Sequence, residues 1–202
     1  IALHLSGQFS GTYANSVKAG KRISTEFNKK VHVIDSKNLS GALGLLVLRT
    51  ARRIEAGETT ESIVKSIEDD VIQSKIFVSV RDLKYLIKGG RVSKPKGMIA
   101  SALGLNPVIS VDENGKSILF GKTFSQEASL NKIYGHIKKI SAGKTVWNYI
   151  IMHAHNPEGA EKAEVKMFEM TGLKPVSTVD ISPAIGIHAG NGAVAISLLF
   201  NS

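Results

Sequence analysis

Apolar and polar positions recur along this chain with two different periods, and the switches between them outline its elements. Ile1-Ala2-Leu3-His4-Leu5 reads as a strand already in progress, and Ser6-Gly7-Gln8-Phe9-Ser10-Gly11-Thr12 supplies turn and cap chemistry before a helix predicted over 12–27. A second strand over 31–34 ends at Asp35-Ser36-Lys37-Asn38. Over 39–56 the apolar residues Leu39, Leu43, Leu46, Val47, Ala51 and Ile54 recur at three and four, the stripe of a helix buried on one face. Gly57 stops it, and Ile63, Ile67 and Val71, spaced by four, mark another helix over 59–72. Strands alternating with helices predict a parallel sheet with helices packed on it. Sheets of that kind bind ligands beyond the carboxyl ends of their strands, where the loop 6–12 lies.

From Lys75 the texture changes. Residues 76–80 form a strand, 83–87 a short helix, 88–92 a glycine-bearing turn and 98–103 a further helical segment. The apolar runs 107–111 and 116–122 flank Asp112-Glu113-Asn114-Gly115, and Asn-Gly between two such runs is a hairpin signal. A helix over 126–140, a strand over 147–152, a helix over 157–170 ended by Gly172, and strands over 176–181 and 193–200 complete the pattern. The last two strands enclose a glycine-rich loop over 182–192 with no helix expected in it. A hairpin mixed with separated strands and helices suggests a mixed sheet with helices on one side. The expected domain boundary lies near Ser74, dividing 1–74 from 75–202.

At 202 residues, 43% apolar and 21% charged, the chain is in the globular range and long enough to bury a core. Cysteine is absent, which removes disulfides and thiolate metal sites and fits a reducing compartment. The net charge of +9 raises nucleic-acid binding. Aromatics are only 6%, however, and the cations are dispersed, as at Lys18, Lys21, Arg22, Arg49, Arg52 and Arg53, so no specific nucleic-acid partner is expected. Such charge allows at most transient contact with anionic lipid. No apolar stretch reaches the length of a membrane span and no signal peptide is visible, so the expectation is a soluble, cytoplasmic protein. His153 and His155, placed on one strand face by alternation, have no third ligand near them, and no metal is expected.

Three loops are richer in glycine and polar residues than connection requires: 6–13, 88–94 and 182–192. Ser10, Gly11 and Thr12 read either as an ordinary helix cap or as an anion site at a helix N-terminus. Arg91 after Gly89-Gly90 is either a surface cation or a fork that grips a carboxylate or phosphate. His188, between Gly186 and Gly190, can donate to an oxyanion and change charge near neutral pH. There is no G-x-S-x-G elbow, no Walker-type loop and no G-x-G-x-x-G after a strand. A Ser10–His188 dyad lacks an acidic orienter.

In order along the chain, Ser10-Gly11-Thr12-Tyr13, Val33-Ile34-Asp35-Ser36 followed by Leu39-Ser40-Gly41-Ala42-Leu43-Gly44, Leu86-Ile87-Lys88-Gly89-Gly90-Arg91-Val92-Ser93, and Ile185-Gly186-Ile187-His188-Ala189-Gly190-Asn191-Gly192 resemble the DegV family. The resemblance implies an α/β fold of two domains: a three-layer α/β/α parallel-sheet domain, incomplete here, and a two-layer α/β domain with a mixed sheet. It implies a long-chain fatty acid bound in a tunnel between them, with no cofactor. It further implies a non-catalytic carrier role in bacterial fatty acid kinase, where a separate ATP-binding subunit phosphorylates the carboxylate. Ser10, Arg91 and His188 then surround the carboxylate, with Gly11 and Thr12 beside it. The family's N-terminal portion, with an Asp-Ser start motif and a further carboxylate-binding hydroxyl, is expected to be missing, and Asn191 stands where the family usually has proline. The alternative reading is a small-molecule enzyme, hydrolase or kinase-like, using Ser10, Arg91 and His188.

Overall fold

The structure, a computed structural model, describes residues 1–91 and 104–201. Its elements run β1 (Ala2–His4), α1 (Thr12–Phe27), β2 (Val33–Asp35), α2 (Ser40–Glu55), α3 (Thr60–Gln73), β3 (Ser74–Ser79), α4 (Lys84–Lys88), β4 (Asn106–Val111) and β5 (Ser117–Thr123). They continue with α5 (Gln126–Ile140), β6 (Val146–His153), α6 (Pro157–Thr171), β7 (Ser177–Asp180), α7 (Pro183–Ala189) and β8 (Val194–Phe200). β1 and β2 pair in parallel, Leu3 opposite Ile34. The other six strands form one mixed sheet in the order β5-β4-β3-β8-β6-β7, antiparallel throughout except for β6 with β7.

Alternation decides what each face of the six-stranded sheet carries. Phe77 of β3, Tyr149 and Ile151 of β6, and Val194, Ile196, Leu198 and Phe200 of β8 point to one face, where α5 and α6 cover them with Ile133, Ile137, Ala163 and Met167. The intervening residues point the other way. There Leu45 and Leu46 of α2 close on Leu199 and Ile150, while Val80, Leu83, Leu86, Ala154, Ala189 and Ala193 form a second cluster under α4 and α7. Every residue of β8 is therefore buried, as a central strand covered on both faces requires. Helices were expected on one side of this sheet; α5 and α6 take that side, while α2, from the first 74 residues, and the short α4 and α7 cover part of the other.

Local signals explain most element ends. Ser125 and Thr59 accept first-turn N–H bonds from Ala128 and Ser62, and Gly172 closes α6 at φ 69°. The loop expected over 182–192 contains α7 instead. Pro183 opens that helix, where its fixed φ is preset and its missing N–H costs nothing, and Gly190 at φ 77° follows its end. The helical segment expected over 98–103 lies outside the described residues.

Candidate functional site

β1 delivers the chain into a tight turn. Ser6 is fully buried; its hydroxyl donates to the Gly115 carbonyl (2.7 Å), and its own carbonyl accepts from Phe9 N–H (2.9 Å). The turn sets Ser10 immediately before α1. Gly11 occupies the cap position but has no side chain to cap with, so Ser10 Oγ accepts from the Thr12 N–H (3.2 Å) and bonds the Thr12 hydroxyl (2.7 Å).

The second component is the end of α4. Gly90 adopts φ 68° and Arg91 N–H reaches back to the Leu86 carbonyl (3.0 Å), a closure that needs a left-handed residue at Gly90. The chain reversal turns the Arg91 guanidinium toward the first component: Nε donates to the Phe9 carbonyl (3.1 Å) and Nη1 to the Gly89 carbonyl (2.8 Å). Residues 9 and 91 are thus tied across the molecule.

The third component is α7, which packs on α4 and carries His188. A Cβ at Gly89 would collide with His188 Nδ1, and one at Gly190 would strike the Tyr85 ring 2.5 Å away, so the two glycines permit the close approach of the helices. Nδ1 of His188 is enclosed without a hydrogen-bond partner, leaving Nε2 as the nitrogen able to meet a ligand.

Ser10, Arg91 and His188 line one cavity of about 260 Å³. Its walls are otherwise mostly apolar: Ile76 and Val78 of β3, Val80 just after it, Ile109 of β4 and Ala195 of β8 supply the floor, and Leu86 and Ile185 come from α4 and α7. No Asp or Glu lines it among the described residues. Arg91 is exposed, which puts the cation where the cavity meets solvent. A guanidinium, an imidazole and a hydroxyl around an apolar hollow can hold one end of an amphiphile as an anion and bury the rest. Gly11 and Thr12 are exposed and stand off the wall; Thr12 contributes only by fixing the Ser10 hydroxyl.

A model described as "Uncharacterised protein, DegV family" matches residues 1–201. This chain belongs to the DegV family. A DegV domain-containing protein of Clostridium acetobutylicum is 32% identical over 201 residues, covering 98% of this chain and 70% of the relative. A fatty-acid-binding DegV family protein of Streptococcus agalactiae is 25% identical, with a TM-score of 0.85 over 100% of this chain and 71% of its own. The B3 protein of Streptococcus pneumoniae fatty acid kinase, loaded with linoleic acid, shares the fold at 22% identity, with a TM-score of 0.85 over 98% of this chain and 70% of its own. The α/β fold with a mixed sheet expected from the sequence is shared with the solved DegV relatives.

Two wall residues of this DegV chain escaped the sequence reading. Ser40, at the left-handed φ of 52°, donates to Met152 Sδ (3.2 Å), as does the Gly41 N–H (3.1 Å), anchoring the start of α2 over β6. His153 was weighed only as a metal ligand with His155. β6 ends at His153 and His155 has φ 50°, so alternation stops and the two rings do not share a strand face. No group of three metal-ligating side chains occurs among the described residues. A serine beside a helix start and a histidine at a strand end carry no distinctive sequence signal. No helix is long and apolar enough to cross a membrane among the described residues.

Proposed function

We propose that this chain holds a long-chain fatty acid in the cavity and presents its carboxylate, at Ser10, Arg91 and His188, to a separate ATP-binding kinase subunit. The observation that carries the reading is the single apolar cavity wall on which three distant segments place a hydroxyl, a permanent cation and an imidazole, with no acid among the lining residues. Burying about 15 methylenes at roughly 0.8 kcal/mol each contributes on the order of 12 kcal/mol before ordering costs, so the chain supplies most of the affinity. Each charged hydrogen bond nets only about 1.5–3 kcal/mol, and the head-group residues act mainly by keeping a partly buried carboxylate ionised and aimed outward.

The enzyme alternative finds less support. Ser10 Oγ is engaged by Thr12, and no hydrogen bond joins it to an imidazole among the described residues, so a nucleophile would lack its base. The carrier needs no cofactor of its own and works from the cytoplasm, touching the membrane at most transiently. Native mass spectrometry of gently purified protein, followed by extraction of the bound acid, tests it. The expected result is a stoichiometric long-chain acid lost on denaturation; protein that arrives without one and refuses added oleate overturns the proposal.

A further inference from the structure

The start of α2 lies against the cavity with its backbone donors poorly answered. Leu39, at the cap position, offers no side-chain oxygen, and the Gly41 N–H goes to Met152 Sδ (3.1 Å), the same sulfur that takes the Ser40 hydroxyl (3.2 Å). A thioether is a weak acceptor, so a 16-residue helix opens here on a poor partner. A further polar group beside it has no partner at all. Ser197 of β8 is fully buried, and its Oγ makes no hydrogen bond. A Cβ on Gly41 would stand 2.6 Å from Met152 Sδ and 3.1 Å from Ser197 Oγ, so both atoms are aimed at the first turn of α2. Leu39, Ser40 and Met152 line the cavity. Ser197 is the register partner of Ile76, and Val80, four residues further along the chain, packs with Leu86 and Ala189 at the end where α4 and α7 bring Arg91 and His188. At a strand's rise of about 3.3 Å per residue, Ser197 is roughly 13 Å from that end, beside the middle of a long acyl chain and not its head.

We infer that the start of α2 is a second polar subsite of the cavity, formed by Ser40, Gly41 and Ser197, and that it selects acyl chains bearing a mid-chain hydroxyl. The inference rests on the acyl-carrier reading and deepens it by naming a substrate class. A hydroxyl on the chain is both acceptor and donor: it accepts from the Ser40 O–H and the Gly41 N–H and donates to Ser197 Oγ. The two α2 donors are released when Met152 turns its sulfur aside, which an unbranched side chain with three rotatable bonds does readily. Oxygen then replaces sulfur as their acceptor, and the buried Ser197 hydroxyl gains a partner. The positive end of the α2 dipole favours the same exchange. A chain without oxygen leaves these groups as they are and binds without the gain. A hydroxyl placed elsewhere along the apolar wall is buried unpaired and weakens binding.

Ricinoleate and oleate differ only in one mid-chain hydroxyl, so the ratio of their affinities, measured by calorimetric titration of delipidated protein, isolates its contribution. The wild-type protein is expected to bind ricinoleate about fivefold more tightly than oleate, the worth of one net hydrogen bond. Octadecanoate hydroxylated next to its carboxylate should gain nothing over octadecanoate. Ser40→Gly removes the hydroxyl and relieves the left-handed φ together, and should bring the ricinoleate-to-oleate ratio to one or below. Ser197→Ala should reduce the ratio, and Met152→Leu, which takes away the competing sulfur at nearly constant volume, should widen it. A general loss of affinity in any variant cancels in the ratio. A wild-type ratio at or below one, a ratio that any of the three variants leaves unmoved, or an equal gain from the hydroxyl beside the carboxylate overturns the inference alone. Wild-type protein that binds none of these acids overturns the carrier reading beneath it.

Discussion

Gly89 sits at an ordinary φ of −77°, so an alanine there meets no backbone strain; the obstacle is His188 Nδ1, which occupies the space a Cβ needs. Gly89→Ala should cost about 1–3 kcal/mol of stability by overpacking and displace the imidazole from the cavity. Urea unfolding of Gly89→Ala, His188→Ala and the double variant checks this, because removing the ring removes the clash and the double variant should lose much less than the sum. A second titratable ring has a different role. His136 meets Phe77 edge-on (5.2 Å) and Phe120 at a tilt (4.5 Å), and burial first, then Lys139 and Lys75, hold its pKa below the ordinary value. The unfolded chain binds that proton more readily, so this contribution to stability is complete above about pH 6.5 and diminishes as pH falls toward the lower folded value. Urea midpoints between pH 7 and 5 should fall less steeply for His136→Phe than for wild type. At this scale the motif residues Ser10, Arg91 and His188 were legible because their neighbours form recognisable strings. His153 was not, because what distinguishes it is the company of Asp180 and Asn156, and that depends on how two strands and a helix start come together.

Helices α2 and α3 are joined by a charge that neither could bury alone. Asp70 is 1% exposed, with Arg53 Nη1 hydrogen-bonded to Oδ2 and Arg49 Nη1 3.3 Å from Oδ1, and Arg49 continues to the Phe200 carbonyl (2.9 Å) at the end of β8. Asp70→Ala strands two partly buried guanidinium groups and should cost about 3–5 kcal/mol, read as a lowered denaturant midpoint with unchanged slope. The helices expected over 12–27 and 126–140 match α1 and α5 in extent, because turn chemistry leads into α1 and the Ser125 cap starts α5. α7 was missed for the opposite reason. Seven residues with Gly186 in the middle make only about two turns, too few to show a helical period, and only the Ser-Pro start hints at the helix.

For the whole molecule, the cavity lies on the face of the six-stranded sheet away from α5 and α6, where α2, α4, α7 and the turn after β1 leave space over β3 and β8. A ligand that fills it should stabilise the entire fold by linkage, about 2.7 kcal/mol at a hundredfold excess over Kd. Scanning calorimetry across saturated acids of increasing length should show Tm rising with each added methylene, about fourfold in affinity apiece, until the cavity is full. A Tm indifferent to chain length would mean that the acyl chain is not inside.

The sequence by itself determined the alternation of strands and helices, the hairpin at Asn114-Gly115, the family and the three segments bearing the polar residues, since these depend on periodicity, turn chemistry and local strings. Only the tertiary structure decided that Ser10, Arg91 and His188 share a wall with His153, that Gly11 and Thr12 stand off it, and that α2 spans two sheets. Those are contacts between residues far apart in the chain, and they follow from strand order and from glycines that let helices close to within a side chain's width, neither of which leaves a periodic trace.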